Sequence, residues 1–359
     1  MGLKAAVIGC GRMGAQKSER LRGVVPGGWL PISHAESILN ARGVELLACV
    51  DSDSERLAAV KNDYNIPNVY TDYENLFLRT RCDLVTIATR TPLKKKIIDN
   101  AIKTGIKAIY VEKPITNNLK DCEDILNNAK DHNCIISYGV NRRFHEVYRE
   151  VKQKFIVEKK YGELTDITIE FGKAPLLWTH PHSFDLLRFF GGDVLTVRAG
   201  FEPNSFVETS DNIVDSDPVL INADIDFVNG AKGHITTTDG SCVRLSFKDA
   251  NVIIHGDGAF YQISKKTTKD SPYFLDQQFV HPQPKKSATV TAVEELASFL
   301  KGELSEQCFS EKISKEDIYI GLNMALACAW SFKVGERCVS LSEVPIEFTV
   351  TGKVGDLYA

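Results

Sequence analysis

The sequence is poor in the features that mark several classes of protein. No apolar run approaches the roughly 20 residues that a membrane-spanning helix needs. No CxxC pair occurs. The nine cysteines stand singly at Cys10, Cys49, Cys82, Cys122, Cys134, Cys242, Cys308, Cys328 and Cys338, mostly inside apolar runs, where a thiol behaves as a small hydrophobe. That usage fits a reducing cytoplasm and gives no framework for structural zinc. Charge of one sign is also scarce. Forty-three Lys and Arg against 47 Asp and Glu leave a net −4, which argues against a general nucleic-acid or anionic-membrane binder. Internal repeats, low-complexity tracts and flexible linkers are missing. The opening "MGLKAAVIGCGRMG" runs into a short apolar stretch and then glycines, as a buried strand and turn do and a signal peptide does not. Ala6 stands where myristoylation wants Ser or Thr.

What is present is a chain of 359 residues, 43% hydrophobic and 25% charged, suited to two globular domains. Up to residue 140, short apolar runs alternate with helical patterns. The runs 4–9, 44–51, 83–89, 108–113 and 134–140 are apolar on both faces, as parallel strands covered on both sides must be. Between the third and fourth runs lies a helix over 92–105, with Leu93, Ile97, Ile98, Ala101 and Ile102 as its apolar stripe. The lysines 94–96 in it are expected to be mostly solvated. The alternation predicts an α/β doubly wound parallel sheet of the Rossmann type over residues 1–140.

From residue 141 to 359 the pattern changes to an α+β domain. A long helix is expected from Arg142 to about Lys160, then strands of alternating polarity such as 221–227, which predict an open, mostly antiparallel sheet. Helices over 288–303 and 314–336 close the chain, the second opened by Ser314 with Asp317 at the capping-box position.

The glycines Gly9, Gly11 and Gly14 follow the first strand in the G-x-G-x-x-G pattern, with Arg12 and Met13 between them. Gly9 suits a tight turn, Gly11 a close approach to a pyrophosphate and Gly14 close packing of helix on strand, with the anion at a helix N-terminus. This predicts a dinucleotide site. Asp51, ending the second strand, is placed to accept hydrogen bonds from a ribose 2′-hydroxyl and to repel a 2′-phosphate, which favours NAD over NADP. Its other reading is a capping residue. Asp51 follows Gly14 by 37 residues, against roughly 20 in the usual fingerprint. The excess falls near 20–33, where Pro26, Gly27, Gly28 and Pro31 forbid a continuous helix. Two roles are open to this insertion: a loop near the cofactor whose Trp29 covers part of the active site, or a surface elaboration packed on itself.

Glu112-Lys113-Pro114 after the fifth strand, the glycine turn, "NRRF" at 141–144 and His182-x-x-Asp185-Leu186 occur in the order in which they resemble the Gfo/Idh/MocA oxidoreductases. The resemblance implies NAD(P)-dependent chemistry at a secondary alcohol carbon of a sugar, sugar phosphate, nucleotide sugar or cyclitol, with substrate held between the domains. It implies that Lys113 and His182 are the catalytic or substrate-orienting pair, and that Thr89 and Glu112 lie among the cofactor contacts. It also implies a homodimer or homotetramer formed through the open sheet, which as an apolar face would be costly to leave exposed.

The chemistry agrees. Removing hydride from an alcohol requires loss of the hydroxyl proton, and His182 is a base that titrates near neutral pH. Lys113, at the carboxyl end of a parallel strand, is placed to stabilise charge on the reacting oxygen. Asp185, one turn beyond His182, is either a substrate contact or a capping or salt-bridging group. Arg142 and Arg143 suit a substrate phosphate or an ion pair with the first domain. Trp178 suits stacking on a sugar ring or plain core packing. Many relatives carry Asp four residues before the histidine; here Trp178 stands in that place, with His180 two residues before His182. Near where relatives place a histidine in the helix after the fourth strand, this chain has Lys96. A zinc reading of His180-x-His182 lacks further ligands. Two rival functions remain: NAD-dependent glycoside cleavage or elimination with transient oxidation, and non-catalytic sensing of NAD or a sugar.

Overall fold

A computed structural model describes residues 2–268 and 270–352. Six parallel strands form the first sheet: β1 (Leu3–Ile8), β2 (Val44–Val50), β3 (Asn68–Tyr70), β4 (Leu84–Ile87), β5 (Ala108–Val111) and β6 (Ile135–Tyr138), in the order β3-β2-β1-β4-β5-β6. This is the doubly wound order, with its switch point between β1 and β4. All four residues of β4 and of β5 are buried. The short β3 was not foreseen; its three residues are half-buried at a sheet edge and carry no long apolar run. Helices α1 (His34–Asn40), α2 (Ser54–Tyr64), α3 (Tyr73–Arg79), α4 (Thr91–Lys103) and α5 (Leu119–Asp131) cover the sheet.

The expected continuous helix after 142 is broken. A 3₁₀ turn over 141–144 leads to α6 (Glu146–Val151), and residues 152–157 continue with π-type bonding. His145 intervenes as N-cap, its ring accepting from Val147 N.

The second sheet is built from β7 (Leu164–Glu170), β8 (Ala174–Pro175), β9 (Val194–Phe201) and later strands; α7 (Pro181–Gly191) lies between β8 and β9. After a small ladder of β10 (Glu208–Ser210) and β11 (Ile213–Val214) come β12 (Val219–Phe227), β13 (Lys232–Ile235), β14 (Cys242–Phe247), β15 (Ala250–His255), β16 (Phe260–Lys265) and β17 (Asp276–Val280). The order is β17-β16-β15-β14-β7-β13-β12-β8, with β9 also on β12, and only β13–β7 is parallel. Helices α8 (Ala288–Leu300), α9 (Glu306–Ser310) and α10 (Lys315–Lys333) follow, and β18 (Thr349–Val350) joins β11. The Ser314–Asp317 capping box is present.

Buried and open positions alternate along β7, β12, β14 and β15. α7 and α10 cover the apolar face. The other face carries Asp166, Thr168, Asn222, Asp224, Lys232, His234 and Arg244, so it is polar, and the expected apolar face is corrected. α8 crosses back: Ala288 N donates to Gly28 O (2.9 Å), and Arg42 N to Glu294 (3.0 Å).

Candidate active site

The glycine turn follows β1 directly. Gly9 has φ +91°, and a Cβ there would sit 2.7 Å from Ala88 O. A Cβ on Gly14 would land on the Gly9 carbonyl, whereas around Gly11 nothing lies within 4 Å. Two glycines therefore shape the turn, and the third keeps open the space a diphosphate needs. Thr89, after β4, lines the same turn through its methyl group near Gly9. Asp51 reaches across: its Oδ2 accepts from Cys10 N at 2.7 Å, and Arg56 Nη1 lies 3.3 Å away. The exposed Arg12 and half-buried Met13 occupy the turn's outer side.

The helix expected to begin here is split. Ala15 N and Gln16 N bond Gly11 O, completing one turn, and the chain then departs. It returns at α1, where His34 N donates to Met13 O and Ala35 N to Gly14 O, both at 2.8 Å. Those are the bonds that residues 17 and 18 of an unbroken helix would make. His34 thus arrives seventeen positions late. Removing those seventeen from the 37 between Gly14 and Asp51 restores the ordinary spacing of roughly 20. The insertion therefore runs from about 17 to 33, slightly longer than expected.

Trp29 is no cover over an open site. It is 6% exposed, its Nε1 donates to Asp257 O (2.8 Å), and its ring lies 5.4 Å from both the Arg142 guanidinium and the His145 ring. The insertion thus anchors on the second domain.

Glu112, Lys113 and Pro114 follow β5, with the Lys113–Pro114 bond cis. Glu112 is buried and lies 3.3 Å from His34 Nε2. Burial raises its carboxyl, but His34, Lys113 and Lys94 together hold it below the usual range. Sequence reasoning passed over His34. Lys94 is a second omission and a correction: it is buried, and Nζ donates to Glu112 O (2.5 Å) and Pro114 O (2.6 Å). One ammonium therefore holds the backbone on both sides of Lys113. Burial lowers Lys94 to about 7 against the pull of Glu112. The signal was in the helical phase: 94, 97, 98, 101 and 102 share one face, and Leu93 is 53% exposed instead. Lys96 is solvated beside Glu74.

The Lys113 ammonium donates to the Trp178 carbonyl and sits 4.4 Å from the Trp178 ring centroid. Burial lowers it, opposed by Glu112 and Asp217. Trp178 precedes α7, whose first turn carries His182. Burial, then the charges of Arg142, Lys113 and His180, push the His182 imidazole well below its usual range. Burial and the neighbouring positive charge thus favour its neutral form. Its Nδ1 is buried without a hydrogen-bond partner. His180 is buried with Nδ1 3.1 Å from Ser183 Oγ, and burial lowers it to about 4.

Asp185 points elsewhere. It is 4% exposed and accepts from Arg143 Nε at 2.9 and 3.1 Å, and Arg143 also bonds Asp317 (3.0 Å). Burial raises the Asp185 carboxyl against Arg143. The structure thus places it as an internal ion pair. Arg142 is engaged likewise: its Nε and Nη2 meet Asp257 at 2.8 Å each, between Trp29 and Phe171. Both arginines pair within the second domain, which corrects the expected pairing with the first. Among the described residues, no group of three or more His, Cys, Asp or Glu could hold a metal ion. No described helix is long and apolar enough to cross a membrane. A concavity on the outer sheet face, lined by Thr168, Asn222, Asp224 and His234, contains neither the glycine turn nor Lys113, so chemistry and not volume locates the site.

A doubly wound sheet with an open glycine turn, an acidic residue ending β2, and a lysine at the carboxyl edge defines a class of dinucleotide-binding α/β proteins carrying a second domain. Residues 3–140 match the family model GFO_IDH_MocA, described as an oxidoreductase family with an NAD-binding Rossmann fold. The match covers the first domain alone, and that domain is similar to the NAD-binding domain of this family. It is 28% identical over 278 residues to an inositol 2-dehydrogenase from Arthrobacter sp. (strain FB24), covering 72% of this chain and 75% of that one. It is 26% identical over 138 residues to a trans-1,2-dihydrobenzene-1,2-diol dehydrogenase from Xenopus tropicalis, covering 38% of this chain and only 41% of the relative's length. Among solved structures, levoglucosan dehydrogenase in complex with NADH and levoglucosan superposes with a TM-score of 0.71 at 16% identity, covering 96% of this chain and 100% of that one. At that identity the likeness is one of fold.

Proposed function

We propose that the protein is an NAD(H)-dependent oxidoreductase that moves hydride to or from a secondary alcohol carbon of a sugar-like or cyclitol substrate. The observation that carries this reading is the meeting of Lys113, from the edge of the nucleotide-binding sheet, with the α7 entrance that bears His182. Gly9, Gly11, Arg12, Met13, Gly14, Asp51 and Thr89 would hold the dinucleotide, with Glu112 fixing the adjacent turn. When bound, NAD supplies the hydride acceptor or donor.

The chain's own residues do the rest. In oxidation, neutral His182 accepts the hydroxyl proton. Lys113 exchanges the Trp178 carbonyl for the substrate oxygen and stabilises its developing negative charge. The Trp178 ring, already against Lys113, offers an apolar surface for a sugar face. Arg142 acts by its charge on His182, since Asp257 occupies its hydrogen-bonding edge. Assembly would use the outer face of the second sheet. Because that face is ionic, such a dimer or tetramer would weaken with salt.

Lys113→Met tests the reading. Turnover on the reactive member of a sugar and inositol panel should fall by about a hundred- to a thousandfold, the range of a lost electrostatic group. NADH binding, followed by fluorescence, should stay near wild type. Turnover at the wild-type rate would remove Lys113 from the reaction.

A further inference from the structure

The sequence lacks a carboxylate four residues before His182, since Trp178 stands there. The fold brings one against the same segment from another element. Asp217 lies between β11 and β12, forty positions along the chain from Leu177, and is 6% exposed. Its Oδ1 accepts from Leu177 N at 2.7 Å. Its Oδ2 is buried without a hydrogen-bond partner. Lys113 holds the neighbouring peptide from the other side, through the Trp178 carbonyl. The two side chains thus grip one short segment at consecutive residues, and each bears electrostatically on the other.

The surrounding charges leave this carboxylate for Lys113. Arg142 is paired with Asp257, Arg143 with Asp185 and Asp317, and Glu112 is bonded to His34. Burial lowers both His180 and His182 and so favours their neutral forms. Among the described residues, Lys113 is the charged side chain that bears on Asp217. A buried oxygen with no donor is costly, and it persists where a neighbouring cation or a second bound state repays it.

We propose that Asp217 is a positioning residue for Lys113, the counter-charge that keeps the ammonium protonated and aimed at the α7 entrance when a substrate oxygen replaces the Trp178 carbonyl. It brings a carboxylate, from the approach to β12, onto the segment that carries Trp178. This role rests on the proposed hydride transfer, but its physical core, the coupling of two charges, is independent of substrate. Burial raises Asp217 to about 6, against the Leu177 and Trp178 amides and Lys113, so its charge is lost just below neutrality.

The test is competitive acetylation of the whole protein with acetic anhydride between pH 6 and 11, reading Lys113 by peptide mass spectrometry in wild type and Asp217→Asn. Loss of the counter-charge should lower the Lys113 pKa by about one unit, so that at pH 8 it labels about tenfold faster. Asp217→Glu should restore most of the wild-type profile, which a merely space-filling role would not require. An unchanged Lys113 profile in folded Asp217→Asn overturns the proposal and leaves the hydride-transfer reading standing. Should that variant fail to fold, Lys113→Met gives the reciprocal test by carboxyl ¹³C NMR: Asp217 should titrate higher than in wild type, and an unmoved Asp217 overturns the proposal. With a substrate in hand, wild-type turnover should show an acid limb near pH 6 that is absent in Asp217→Asn.

Discussion

The two sheets of this protein bury their strands in opposite ways. β4 and β5 are buried at every position, whereas β7, β12 and β14 bury every second residue. A sheet covered on both faces has no free surface, so its chemistry is confined to the carboxyl edge, where Gly9, Asp51, Thr89 and Lys113 all lie. A sheet covered on one face keeps the other for polar groups. It serves the site through what packs beneath it: α7 with His182, and the α10 end that meets Arg143. Substitutions at the edge of the first sheet should therefore be severe and local, and those on the outer face of the second mild.

The sharpest contrast is within the glycine turn. Gly14→Ala forces a Cβ onto the Gly9 carbonyl and should cost roughly 3 kcal/mol or more, read by chemical denaturation. Gly11→Ala meets open space, so it should alter stability by less than about 1 kcal/mol while weakening NADH binding about tenfold. Equal loss of stability in both would break the division of roles between them. Next comes the clamp behind Lys113. Lys94→Met deprives the Glu112 and Pro114 carbonyls of their shared donor and should cost about 2 kcal/mol and lower turnover, whereas Lys96→Met should do neither. The smallest effect is expected on the open sheet. His234 sits between Asp166 (3.2 Å) and Asp224 (2.8 Å), which raise it to about 9 from an ordinary 6.5. Its stabilisation is complete below 6.5 and fades as pH rises through about 9. The imidazole is more than a third exposed, so His234→Gln should lose under about 1 kcal/mol at pH 6 and nothing at pH 10. A larger loss would show that this face is closed by a partner.

Much of the first domain was legible because its signals are near neighbours in the chain. The apolar runs form the parallel strands expected of them, with the glycine turn after β1 and Glu112-Lys113-Pro114 after β5, while the edge strand β3, too short to show a pattern, was missed. The interruption of the first helix was visible as excess spacing, but only the bonds from His34 and Ala35 to Met13 and Gly14 explain it. In the second domain, the His182 turn was legible as a helix start. The ion pair of Asp185 was left open, because its partner Arg143 is 42 positions away. His34 and Lys94 were missed for related reasons. A histidine opening a helix carries no distinguishing pattern, and a lysine in a run of three is read as solvated unless its helical phase is followed.

The amino-acid order by itself determined most strands of the first sheet, where the glycine turn falls, and which lysine stands at the sheet edge, since periodicity and turn chemistry act over a few residues. Only the tertiary structure decided what surrounds that lysine: Lys94 behind it, Asp217 on the segment it grips, and a buried His182 under the charge of Arg142. Burial and counter-charge set those properties, and both are contributed by segments far apart in the chain that meet only once the two domains have packed.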